Sequence, residues 1–222
     1  MEVLVQELLE KARRTLGAAA ELAAVQSVAG IADCQSPNGP YTTALQAARG
    51  DRLFFQQVHP GGRAFTGVVN GQVAWAVDAV TGEAQPLSPE ATAMILGHDL
   101  LILPLILAER FHKLRPAGTA EYGGKLCQVL AGEDPWRSPC LLYFASDTGR
   151  LAGLALTNPI GAAGEMVQIV FKGWLPVGEV TLPAEVLITD KTGEFYFRFR
   201  PVEINHVDEA VFAIPAHISA GF

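Results

Sequence analysis

The stretch Glu194-Phe195-Tyr196-Phe197-Arg198-Phe199-Arg200 alternates at every step. Successive side chains of an extended chain point to opposite faces, so Phe195, Phe197 and Phe199 share one side and Tyr196, Arg198 and Arg200 the other. Such alternation is the mark of a strand with one bulky apolar face.

The same period recurs on either side. In Glu165–Trp174, Val167, Ile169 and Phe171 oppose Gln168 and Lys172; in Gln72–Asp78, Val73, Trp75 and Val77 oppose Ala74 and Ala76. Further strand-like runs are Arg52–His59, Arg63–Val69, Lys125–Ala131, Cys140–Ser146, Leu151–Thr157 and Pro183–Thr189, and the period of two already begins near Ser27. Pro60-Gly61-Gly62, Asn70-Gly71 and Thr81-Gly82 separate early runs as turns, and Asn-Gly is a strong hairpin signal. The pattern predicts a meander of about eleven antiparallel strands with a single greasy face. A sheet that large twists and curls rather than staying flat.

Two helical regions interrupt it. In Glu2–Leu16, Val5, Leu8, Leu9, Ala12 and Leu16 recur at helical intervals, Gly17 is a stop signal, and Ala18–Val25 reads as a second short helix. Ser88-Pro89-Glu90 has the chemistry of a helix start, with an N-cap serine, proline in the first turn and an acid at the positive dipole end. That region runs to about Lys113 and is divided near Gly97 or Pro104. The expected fold is therefore mainly β with α. It is an incomplete, half-open barrel covered by an N-terminal helix and a central helical lid, in one domain over residues 1–222.

Composition narrows the function. The chain is 50% apolar and 18% charged, against a usual charged share of about 25%. The surplus asks for a full core, an interface or a lined cavity. A net charge of −7, with no basic run, argues against nucleic acid. The longest apolar run, Leu100–Leu107, is broken by Pro104 and falls short of the ~20 residues that span a bilayer. Residues 1–30 lack the basic start and unbroken apolar stretch of a secretory signal, so the chain is either cytoplasmic or begins after a removed signal.

Signatures of catalysis and cofactor binding are missing. There is no H-E-x-x-H, Walker loop, G-x-S-x-G or EF-hand pattern, and the five histidines have no metal-ligand spacing. His98-Asp99 and His206…Asp208 read as cap or loop residues, and Gly61-Gly62 and Gly123-Gly124 as turns with no helix N-terminus behind them. No catalytic residue, metal or cofactor is expected. Cys34, Cys127 and Cys140 read as free, buried thiols.

Several segments resemble the LolA/LolB-like lipoprotein-localisation superfamily. Gly178–Val186 (GEVTLPAEV) is similar to its "G-x-x-hydrophobic-P-x-x-hydrophobic" strand, and Val202–Pro215 (VEINHVDEAVFAIP) to its closing "V-x-x-N…F-x-hydrophobic-P". Asn70–Trp75 is similar to its "x-G-x-x-x-W" hairpin, Leu87–Glu90 to the helix entry after it, and Glu121–Lys125 and Leu142–Gly149 to later strands. The resemblance implies an incomplete barrel with a helical lid around an apolar cavity for acyl chains, in the periplasm or otherwise outside the cytoplasm. Its partners would be lipid or lipoprotein acyl chains. Candidates to line the cavity are Phe54, Phe65, Trp75, Val77, Leu101, Leu105, Phe171, Phe195 and Phe197. The family holds its lid with an early-strand arginine, for which Arg52 and Arg63 are both candidates. With no lipobox cysteine near the start, a membrane-anchored receptor is not indicated. The alternative is a regulatory or protein-interaction module of the envelope with little or no ligand cavity.

Overall fold

The computed structural model describes residues 2–97 and 99–219; His98, one of the residues read above as a cap, lies outside them. Helices α1 (Glu2–Arg14) and α2 (Ala19–Ala24) lead into six strands: β1 (Ser27–Ser36), β2 (Gly39–Ala48), β3 (Arg52–Val58), β4 (Ala64–Asn70), β5 (Val73–Val77) and β6 (Ala84–Pro86). The lid follows as α3 (Pro89–Leu96), a 3₁₀ turn (Leu103–Leu105) and α4 (Leu107–Arg110). Seven strands return: β7 (His112–Tyr122), β8 (Lys125–Glu133), β9 (Pro139–Ala145), β10 (Leu151–Thr157), β11 (Met166–Val177), β12 (Val180–Asp190) and β13 (Gly193–Ile204). A second 3₁₀ turn (Glu209–Phe212) and α5 (Ala216–Ser219) close the described chain.

All thirteen strands belong to one antiparallel sheet, ordered β6-β5-β4-β3-β2-β1-β13-β12-β11-β10-β9-β8-β7. The chain meanders outward from β1 to one edge, crosses to the other edge through the lid, and meanders back until β13 pairs with β1. The sheet does not close: β6 and β7 are its two edges and do not pair with each other among the described residues. The lid segment links them along the chain.

The register explains the core. Leu130, Leu142, Leu154, Ile169, Ile188 and Phe195 stand opposite one another across six neighbouring strands. Together with Phe171, Phe197 and Phe199 they pack into one large cluster that takes in Val5, Leu8 and Ala12 of α1, Leu16, and lid residues 95, 96, 100–103 and 105–107. Burial of this kind stabilises by roughly 25 cal/mol per Å² of apolar surface removed from water.

Both interruptions read near Gly97 and Pro104 are present: α3 ends with Gly97 as its C-cap, and Pro104 sits in the 3₁₀ turn. Ser88 caps α3 by accepting from Ala91 N at 3.2 Å. The helical region ends at Arg110 rather than Lys113, since β7 begins at His112. The two strands beyond the expected eleven are the edges. β6 is three residues long, and β7 is exposed along nearly its whole length, so neither has an apolar face to betray it.

Two glycines seat the lid. A Cβ at Gly30 of β1 would lie 2.9 Å from Leu101 Cδ1, and one at Gly67 of β4 would lie 3.0 Å from Ile95 Cδ1 and 2.7 Å from Phe55 Cε1. Close helix-to-sheet approach demands small residues on this inner face, which is also why Ala74 rather than Trp75 faces the lid.

Candidate functional site

One cleft stands out, with a volume of about 350 Å³, at the low end of the ~300–1,000 Å³ usual for ligand sites. Its floor is sheet: Phe55, Leu156, Val167, Ile169, Ile188 and Phe195. Its roof is lid: Ala93, Met94, Leu96, Leu103 and Phe111. The mouth is made by the ends of β1, β2, β3 and β4 on one side and the β8–β9 and β10–β11 connections on the other, where Phe65, Trp136 and Ile160 are 39%, 37% and 60% exposed. Floor and roof are thus mostly apolar and the rim carries exposed apolar side chains, while Gln57, Arg110, Thr157 and Asn158 add polar groups to the lining.

A charged cluster forms one end of the roof. Arg110, on α4 and lining the cleft, donates from Nη2 to Asp99 Oδ2 at 2.9 Å and pairs with Asp51 Oδ1 at the same distance. Asp51 belongs to the β2–β3 turn, as does Arg49, which pairs with Glu109 of α4 at 2.6 Å. The turn and α4 therefore exchange charges in both directions, a cation from each meeting an anion from the other. Asp99 is completely buried, its Oδ1 has no hydrogen-bond partner among the described residues, and burial pushes its carboxyl up to about 6 against the opposing pull of Arg110.

Of the residues expected to line a cavity, Phe65 and Phe195 line the cleft. Leu101, Leu105, Phe171 and Phe197 are buried in the main cluster instead. Trp75, Phe54 and Val77 lie elsewhere. Trp75 pairs with Val68, and Val68 with Phe54, on the outer face of the sheet, where the C-terminal segment covers them with Phe212 and Ile218. The alternation in Gln72–Asp78 was legible, but its bulky side is the outer one.

Neither arginine expected to hold the lid pairs with it among the described residues. Arg52 pairs with Glu209, stacks 5.3 Å from the ring centre of Phe212, and so fastens the C-terminal segment. Arg63 sits exposed in the β3–β4 turn. Arg49 and Arg110 hold the lid instead. Arg49 was hidden in a short turn between two strands, and Arg110 in what reads as the end of a helix.

The closing motif has a structural meaning. Asn205, with φ 57°, accepts at Oδ1 from Gln26 N (2.8 Å) and Ser27 N (3.2 Å), and donates from Nδ2 to Ala24 O (2.9 Å). Its phenylalanine is Phe212, whose carbonyl accepts from Asn70 Nδ2 at 3.0 Å. Asp208 caps the second 3₁₀ turn by accepting from Ala210 N, which accounts for the His206…Asp208 spacing without chemistry.

The cysteines are not armed as nucleophiles. The three cysteines are free and buried; burial pushes Cys34 up to about 11 and Cys140 up to about 12, far from the thiolate form. Cys140 faces the main cluster and Cys127 a small cluster with Tyr122 and Ala145 on the other face. Among the described residues no group of three or more His, Cys, Asp or Glu is placed to hold a metal ion, and no helix is long and apolar enough to cross a membrane.

No protein-family model and no curated protein matches the chain by sequence. Solved structures do match by shape. A LolA superfamily protein from Nitrosomonas europaea superposes with a TM-score of 0.66 at 13% identity, covering 94% of this chain and 97% of that one. A DUF1329 family protein from Desulfovibrio piger gives 0.61 at 11% identity, with 94% and 97% covered. A putative outer membrane lipoprotein-sorting protein domain from Vibrio parahaemolyticus gives 0.58 at 12% identity, with 92% and 97% covered. The chain has a LolA-like fold.

Proposed function

We propose that this protein is an extracytoplasmic binding or carrier protein that holds an acyl chain of a lipid or lipoprotein in the cleft between lid and sheet. The observation that carries the reading is the cleft itself, mostly apolar on floor and roof and opening through the exposed rim of Phe65, Trp136 and Ile160. Hydrocarbon buried there contributes about 0.8 kcal/mol per CH₂ and needs no polar code. That agrees with a site whose sheet floor and lid roof are mostly apolar. The reading assigns no catalytic step, and the envelope location rests on the fold and on the lipoprotein-sorting description of one structural neighbour.

Titration with a fluorescent fatty acid tests it. Saturable uptake, lost when Val167 on the cleft floor is replaced by Trp, is the expected result. A folded protein that takes up no acyl probe, or takes it up equally well with the cleft filled, contradicts it.

A second reading has its own support. Leu100, Leu101, Ile102 and Leu103 fill much of the space beneath the lid, each no more than 2% exposed, leaving the apolar rim as a surface patch. On that reading the protein is an envelope interaction module whose rim meets another protein. Failure of acyl uptake, together with an envelope partner whose binding is lost in Trp136→Asp, selects it.

A further inference from the structure

The acyl-chain cleft does not end at its apolar rim. A second, more open cleft of about 480 Å³ adjoins it and shares Asn38, His59 and Phe65 with it. Phe65 stands at the junction, its ring centre 5.6 Å from that of Phe55 on the apolar side. The second cleft is completed by Pro40, Pro60 and Ala64, and Arg63 is the one charged residue that lines it. The β3–β4 turn that carries Arg63 is tied at its base: His59 N donates to Arg63 O at 2.9 Å, and Gly62 N donates to His59 O at 3.1 Å. The His59 ring is held in turn against Tyr41, stacked at 5.1 Å.

The charges around the mouth are not equivalent. Arg63 has no ion-pair partner among the described residues. The acids of the apolar cleft's mouth are engaged in their own turns. Asp134 Oδ1 accepts from Trp136 N (2.9 Å) and Ser138 N (2.8 Å), and Asp190 Oδ1 accepts from Thr192 N (2.7 Å). In a protein of net charge −7 this leaves an unengaged cation, beside polar Asn38 and His59, where an acyl chain would leave the apolar cleft.

We propose that the ligand is an anionic amphiphile, its chain in the apolar cleft and its negatively charged head taken by Arg63, with His59 and Asn38 as hydrogen-bonding neighbours. The proposal rests on the acyl-chain reading and adds the head group to it. A carboxylate and a phosphate head share the required chemistry, since a guanidinium matches either in a planar, two-pronged contact.

The test compares four ligands of equal chain length on the intact chain by calorimetry: dodecanoate, dodecyl phosphate, dodecanol and dodecyltrimethylammonium. Because the contact is exposed and open to salt, the anions should bind about fivefold tighter than the alcohol at low ionic strength, and less so at high salt. The cationic ligand should bind more weakly than the alcohol. Arg63→Gln, at an exposed turn position, should bring the anions down to the alcohol's affinity while leaving the alcohol unchanged. A larger preference for one anion identifies the head group. Equal binding of anions and alcohol, or an anion preference that survives Arg63→Gln, overturns the proposal. If none of the four binds, the acyl-chain reading falls with it.

Discussion

Arg110 Nη2 lies 2.9 Å from Asp99 Oδ2, joining the end of α4 to the chain just after α3 with both side chains all but sealed from water. Removing the arginine leaves a carboxylate with no cation in a buried site, and breaking one partner of such a pair typically costs ~3–5 kcal/mol. Arg110→Met is expected to lower stability by about 3 kcal/mol in urea denaturation, by that same mechanism. Arg110→Met combined with Asp99→Leu should recover most of the loss, as paired apolar replacements often do. A double variant no more stable than the single one would show that the pair is not the source of the effect.

The same carboxyl sets a pH dependence. Burial raises Asp99 to about 6, against ~3.9 for an unperturbed aspartate. Between these values the folded state holds a proton that the unfolded state has released, so this group's contribution to stability falls as pH rises from about 4 to about 6 and is flat above. Asp78, Glu90 and Glu185 are shifted the other way by hydrogen bonds and lose their contribution only as pH falls through the acid range. Subtracting the stability profile of Asp99→Asn from that of the parent should therefore isolate a decline confined to pH 4–6. A flat difference would place Asp99 in an ordinary, solvated state.

Asn205 is expected to be worth about 2 kcal/mol, because Asn205→Ala removes three hydrogen bonds and puts alanine at a left-handed φ. The check is chemical denaturation with amide exchange. The amides of Gln26 and Ser27, which donate to Asn205, should lose protection selectively.

Trp75 separates the two faces of the sheet. Trp75→Phe should leave acyl uptake unchanged, because the side chain packs under Phe212 and Ile218 and not in the cleft. Trp75→Asp should unfold or strongly destabilise the protein by burying an unpaired charge. Val167→Trp, in contrast, should cost only ~1–3 kcal/mol of overpacking while abolishing uptake. Parallel thermal melts and probe titrations distinguish these outcomes.

How far the fold could be read from sequence depended on which faces were covered. Strands with one apolar face, such as those carrying Phe195, Phe197 and Phe199 or Val167, Ile169 and Phe171, announced both themselves and their orientation. The edges β6 and β7 did not, having too little buried surface to impose a pattern. Around Trp75 the alternation was clear, but both faces are covered: the inner by a closely seated α3, which demands Gly67 and Ala74, and the outer by the C-terminal segment. Periodicity says which residues share a face and not which layer lies over it. The lid contacts were illegible for a related reason. Arg49, Asp51, Asp99, Glu109 and Arg110 come from three separate stretches, and only the packing of α4 on the β2–β3 turn makes them one cluster.

Native mass spectrometry of gently purified protein, followed by solvent extraction, is the most direct test of an acyl-chain site. One bound species that extracts as an acyl-bearing amphiphile is the expected result. A clean protein mass, with no added mass after incubation with fatty acid or lipopeptide, would mean that the lid fills the sheet and that the cleft carries no ligand.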